Sequence, residues 1–278
     1  MSGDEQTHSS RKNIVPGTMQ AVPKDEPPSV LWWKVTEGHV PIASEEIMVP
    51  VLIRWGAKER GMMKDQPPFR LPQIRKKLKQ APGLRLDQAL SLRRHHMKLL
   101  NPQRGMPSLR LGQDADIRES AEIFERAVEA FLNEQRIEYW NEKEQKKRYP
   151  DERPLTPDFL LPTPIQLKTF RQAKDGKRRI LEDRRIHWLE AKMFYGASTI
   201  SAGTNGAVGT ILPKVTRYVE AFGPGAIIFM HGCGDQFAKE LSAVGVTALS
   251  ASAVPKRFMK NVWDHQQTWC SKDGLILP

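Results

Sequence analysis

The dipeptide Asp175-Gly176 lies between two strand-forming runs, "TPDFLLPTPIQL" (156–167) and "RRIHWLEAKMF" (184–194), and this arrangement restricts the fold more than any other feature. Asp-Gly is a strong hairpin signal because glycine adopts positive φ without steric cost. Strand, turn and strand therefore set the two runs side by side and antiparallel. Thr156-Pro157 opens the first run, as proline is tolerated at a strand start, and Asp158 follows directly. Upstream, residues 114–139 read as a helix, with Asp114 and Asp116 at its start suiting the helix dipole. Its Ile117, Ala121, Phe124, Val128 and Phe131 form an apolar stripe at steps of four and three. Glu125 lies on the shoulder of that stripe, where a carboxylate either borders the core or reaches into a cleft. Downstream, "GTNGAVGT" is glycine-rich, "ILPKVTRYVEAF" reads as a short helix, and "AIIFMHG" and "GVTALSAS" read as buried strands. The sum is an α/β fold, a mixed sheet with helices on its faces.

The second run poses a chemical question. Strand side chains alternate with a period of two, so Trp188, Glu190 and Lys192 share one face and Leu189, Ala191 and Met193 the other. The second set is apolar and belongs against helices. The first set places an acid and a base together among large apolar residues, where unpaired burial costs several kcal/mol per ion. By itself, E-x-K is better explained by a structural ion pair, since the motif is very short. Asp158 adds to it, because an antiparallel hairpin brings the start of the first run to the end of the second. Two converging carboxylates repel unless a cation lies between them. Hard oxygen ligands without cysteine or clustered histidine suit Mg²⁺ or Mn²⁺, held by Asp158 and Glu190. Lys192 beside such a metal is placed to orient or deprotonate a water, which is the chemistry of phosphodiester hydrolysis.

The charge distribution points the same way. The chain of 278 residues carries a formal +11, and residues 54–104 hold fourteen Lys/Arg against Glu59, Asp65 and Asp87, so the remainder is near neutral. A basic block of this kind suits a polyanion, or else it is a solvated helical face. Within it, "QIRKKLKQAPGLRLDQALSLRRHHMKLL" reads as two helices around Pro82-Gly83, either a helix-turn-helix facing a duplex or a helical prop. Its Leu86, Leu90, Met97 and Leu100 lie near helical spacing, and the adjacent His95 and His96 read as surface residues. The residue reading expects this block to supply most nucleic-acid affinity. Two cysteines, Cys233 and Cys270, exclude a disulfide framework or a four-cysteine zinc site. The N-terminus has no apolar h-region and no apolar run approaches the length of a membrane span, so a soluble intracellular protein is expected, with no membrane partner. "RKKLK" (75–79) reads as a nuclear signal, giving nucleus and cytoplasm. The expected organisation is a disordered tail at 1–40, a basic helical region at 41–112, the α/β domain at 113–265 and a tail at 266–278. His187, His231 and Cys233 read as structural.

The pattern "P-D…E-x-K" resembles the PD-(D/E)XK nuclease superfamily. "TPDFLL" (156–161), "IHWLEAKMFYG" (186–196) and "YVEAFGPGAIIF" (218–229) are together similar to its TPD-motif branch, that of the codanin-interacting nucleases, over about residues 114–250. The resemblance implies a restriction-endonuclease-like α/β/α core, preceded here by the basic helical region. It implies a triad of Asp158, Glu190 and Lys192, with Glu125 as the acidic position of the first core helix and Lys214 as the polar position after the triad. It also implies Mg²⁺ or Mn²⁺, a nucleic-acid substrate with DNA favoured over RNA, and a codanin-like protein partner, and it allows a homodimer. The connection from Asp158 to Glu190 is longer than the family pattern and carries a basic insertion, "KTFRQAKDGKRR". The other reading is a scaffold that keeps the fold and acts through its partner; paired carboxylates, which a retired site no longer needs, favour the enzyme.

Overall fold

A computed structural model describes residues 29–59, 71–100, 114–149 and 155–269. Residues 1–28 of the tail expected at 1–40 and residues 270–278 of the tail expected at 266–278 lie outside them. The long hairpin is the frame of the molecule: β3 (Phe159–Gln172) and β4 (Arg178–Lys192) pair antiparallel. Gly176 closes the turn at φ +80°, and the Asp175 side chain accepts from the Lys177 amide at 3.0 Å. Pro162 and Pro164 lack amide donors, and the pairing slips between Leu160 and Ile165, where they stand.

Around this hairpin the sheet grows on both sides. β1 (Val30–Lys34) joins β3 in parallel, while β5 (Gly225–Phe229) and β6 (Val246–Ser250) extend parallel from β4. The order is β1-β3-β4-β5-β6, with the two-residue β2 (Trp140–Asn141) antiparallel to the start of β3. Among the described residues no helix is long and apolar enough to cross a membrane.

Helices cover both faces. On one, α4 (Asp114–Glu134) and α8 (Lys256–Trp269) pack Phe124, Val128, Phe131, Met259 and Val262 against Leu189 and Ile228. On the other, α6 (Ile211–Phe222) and α7 (Asp235–Ala243) pack against Trp188, Ile227 and Phe229. Alternation along β4 is as predicted, with Trp188 in one cluster and Leu189 in the other. The predicted stripe on α4 holds from Phe124 onward. Ala121 is exposed, and Ser120 is buried instead, bonded to His265 of α8 at 2.8 Å.

Three expectations are corrected. Residues 30–34, inside the expected tail, form β1, because Leu31 and Trp33 bury their side chains beneath the sheet. α8 runs past the boundary at 265, since its apolar face seals α4. The helices α1 (Ile42–Glu59), α2 (Leu71–Leu78) and α3 (Leu86–Leu100) share one core with α6 and α7, so these described helices are built into the α/β fold, as the helical-prop reading has it, rather than set before it.

His95 is also not a surface residue. It packs edge-on against Phe194 at 5.2 Å, while His96 bonds Thr199 at 3.0 Å and Leu100 is the exposed member of the pattern. Burial, with the charges of Arg94, His96 and Lys98 adding, pushes the His95 imidazole down to about 3. A depressed histidine stays neutral in the folded chain where the unfolded chain takes a proton. The stability it contributes is therefore present above the unfolded pKa near 6.5 and is lost as pH falls from there toward 3. We expect urea unfolding to show a loss of about 1.4 kcal/mol per pH unit from roughly pH 6 downward. His95→Phe should flatten that slope; a slope unchanged by the substitution would assign it to other groups.

Candidate active site

The register of the hairpin builds the site. Phe159 pairs with Leu189, so Asp158, one residue earlier, stands across from Glu190. Backbone bonds lock the two carboxylates in place. The Asp158 amide donates to Glu190 Oε2 at 3.1 Å, and the Ala191 amide donates to Asp158 Oδ2 at 2.7 Å. Lys192 Nζ lies 2.6 Å from Glu190 Oε1 and 3.5 Å from Asp158 Oδ2, and donates to the Ala191 carbonyl. From α6, Lys214 Nζ reaches the same Glu190 oxygen at 2.7 Å. Glu190 is only 1% exposed, while the Lys192 side chain keeps 21% of its surface open. The site is closed at Glu190 and partly open at Asp158 and Lys192.

The electrostatics follow from this crowding. Burial alone would push the Glu190 carboxyl up, but Lys192 and Lys214 hold it below the usual glutamate range. Burial, then the charge of Glu190, pushes Asp158 up to about 6, against the pull of Lys192. Burial, then Asp158, pushes Glu125 up to about 7. Burial would lower Lys192, and the two carboxylates raise it instead. Three carboxyls and two ammonium groups thus act on one another here, and Asp158 and Glu125 are held above their usual range first by burial and then by neighbouring negative charge.

All five residues singled out in the sequence contribute to this one cleft, Glu125 through its field and the other four through direct contacts. Two supports were not legible there. Tyr218 on α6 donates to the Thr156 carbonyl at 2.8 Å and stacks edge-on with Trp188. Gln145 donates to the Pro157 carbonyl at 2.8 Å from α5 (Glu142–Arg148). Its helix signal was present all the same: Asn141 and Glu144 form a capping box. Together they hold the Thr-Pro-Asp turn from both sides. Trp188 has a packing role, fully buried and bonded to the Gly223 carbonyl at 2.9 Å.

Away from the cleft, His231 Nδ1 bonds Asp87 at 3.1 Å, and buried Cys233 bonds the Gly234 carbonyl at 3.3 Å. His187 packs over Gly223. Among the described residues no group of three or more His, Cys, Asp or Glu is placed to hold a metal.

A family model described as a protein of unknown function with a TPD sequence motif matches residues 110–248, a span that includes Glu125, Asp158, Glu190, Lys192 and Lys214. No curated protein and no solved structure matches the chain.

Proposed function

The chain belongs to the TPD sequence-motif family, and from that premise we propose that it is a metal-dependent nuclease with a restriction-endonuclease-like core, hydrolysing phosphodiester bonds with DNA favoured. One observation carries the reading: Asp158 and Glu190 converge across β3 and β4 with Lys192 between them. Both are hard oxygen donors, and Mg²⁺ is commonly held by one or two carboxylates, so the pair fits Mg²⁺ or Mn²⁺ without a third side chain. The upward shifts of Asp158 and Glu125 mark where a divalent cation would be drawn. When bound, such an ion offsets charge on the scissile oxygens.

The chain's own residues supply the rest. Lys214 and Lys192 keep Glu190 ionised, as a ligand must be. Lys192, whose ammonium lies between the two carboxylates, orients the attacking water. Glu125, poised near neutrality, is suited to accept its proton. A nucleus and cytoplasm location and a codanin-like partner belong to the same proposal.

The test is incubation of the protein with labelled DNA and RNA structures in Mg²⁺, Mn²⁺ or EDTA, beside Asp158→Asn. The near-isosteric substitution should weaken metal binding and remove cleavage while nucleic-acid affinity is kept or rises, since one negative charge facing the phosphates is gone. A wild-type protein that binds no divalent metal and cleaves nothing would leave the scaffold reading instead.

A further inference from the structure

In the described part of residues 54–104, Arg75, Lys76, Lys77 and Lys79 stay exposed, but not every cation is free. Within that block, Arg85 is spent on Asp87 and Glu37, and Arg93 is only 4% exposed. The outer hairpin contrasts with it. Residues 168–185 carry eight Lys/Arg and three acids, and all of 171–181 is exposed. Lys168 pairs with Asp183, and Arg184 with Glu182. Arg171, Lys174, Arg178, Arg179 and Arg185 have no acidic partner among the described residues.

Arg178 is more than a solvated cation. Its guanidinium stacks 4.6 Å from the Trp32 ring of β1 and 5.0 Å from Phe170, and Lys168 lies 5.7 Å from the same indole. Trp32 and Phe170 are themselves packed edge-on at 5.9 Å. A stacked guanidinium is held flat with its N–H edge outward, which lowers the entropy lost on meeting a phosphate.

We propose that residues 168–185, with Trp32, form an arm that grips the phosphate backbone of nucleic acid outside the cleavage site. The inference takes its ligand from the nuclease reading. Asp158 and Glu190 sit at the base of the same hairpin. At about 3.3 Å per residue, Arg185 lies roughly 15 Å and Arg178 roughly 40 Å along β4 from Glu190. That reach is about one turn of duplex, which spans roughly 34 Å. A line of cations running away from the site matches a linear polyanion, whereas a small anionic ligand would need a closed cluster.

The experiment uses the 278-residue chain carrying Asp158→Asn, expected to bind without cutting, and adds Arg171→Gln, Lys174→Gln, Arg178→Gln and Arg179→Gln. Anisotropy with a labelled duplex of about 30 base pairs is followed against salt, where each lost phosphate contact flattens the slope of log affinity by about 0.9. A slope shallower by about 2 to 4, with affinity down at least about tenfold, is expected. An unchanged slope overturns the arm, as does an equal loss of binding to anionic phosphatidylserine vesicles without loss on the duplex. Lys174→Gln with Arg179→Gln alone, away from the aromatic stack, gives the same reading at about half the size should the fourfold variant fold poorly. Cleavage by the wild-type protein is scored separately. Arm-dependent binding without any cleavage keeps the arm and removes the nuclease, and cleavage with arm-independent binding does the reverse.

Discussion

Lys192→Met is expected to lower single-turnover cleavage by about 10²–10⁴-fold, the range typical of a positioned proton-transfer or water-orienting group. Methionine keeps the aliphatic stem that fills the strand face and deletes only the ammonium. Metal affinity should survive, because the cleft loses a positive charge and Glu190 still has Lys214 at 2.7 Å. Nucleic-acid affinity should also hold, since Lys192 Nζ is committed to Glu190 and Asp158. Calorimetric titration of the metal beside rapid-mixing cleavage separates these effects. Loss of both metal binding and turnover would make Lys192 a structural counter-ion, and cleavage persisting at the wild-type rate would place the chemistry elsewhere.

The second large effect expected is on stability, at a residue remote from the proposed chemistry. Glu45→Ala should cost about 3–5 kcal/mol in urea unfolding, because a buried acceptor serving several donors is removed at once. Glu45, in the first turn of α1, is fully buried. Its oxygens accept from the Tyr195 hydroxyl at 2.7 Å, the Ser198 and Thr199 amides at 3.0 Å each, and the Thr199 hydroxyl at 2.9 Å. Truncation orphans these donors inside the fold. Burial, then the negative charge of Glu45, pushes the Tyr195 phenol up, so no compensating ionisation is open to it. Glu45→Gln keeps the shape but turns one acceptor into a donor facing donors, and should fall between alanine and wild type. A cost below about 1 kcal/mol for Glu45→Ala would mean that water replaces the lost acceptor.

Glu45 also marks where sequence reading stops. Its carboxylate is one of several in a helical stretch, and nothing local says that a segment at 195–199 will fold over it. The hairpin, by contrast, is written in local chemistry: a glycine that takes positive φ, prolines at the strand start, and two-residue alternation that assigns Trp188 and Leu189 to opposite faces. Asp158 and Glu190 follow from that register, so the centre of the cleft was legible. Gln145 and Tyr218 were not, because each acts on a carbonyl of the Thr-Pro-Asp turn, and carbonyls carry no sequence signature. β1 escaped notice for a different reason. Five residues after a proline-rich stretch are too few for periodicity, and only the partner strand explains them.

The placement of β1 has a consequence for how the chain is made. Val30 pairs with Gln166 and Lys34 with Phe170, so this strand finds its partner only after roughly 136 further residues, from Lys34 to Phe170, have been made. At typical rates of synthesis this delay is on the order of ten seconds. During it, Leu31 and Trp33 have no sheet to cover them, and once β3 and β4 have zipped together, the outer side of β3 stays an open edge until the older strand returns. Such an edge is a template for any passing strand. The same sequence separation that hides β1 from local reading makes its return the step at which a nascent chain most needs to be held apart from its neighbours.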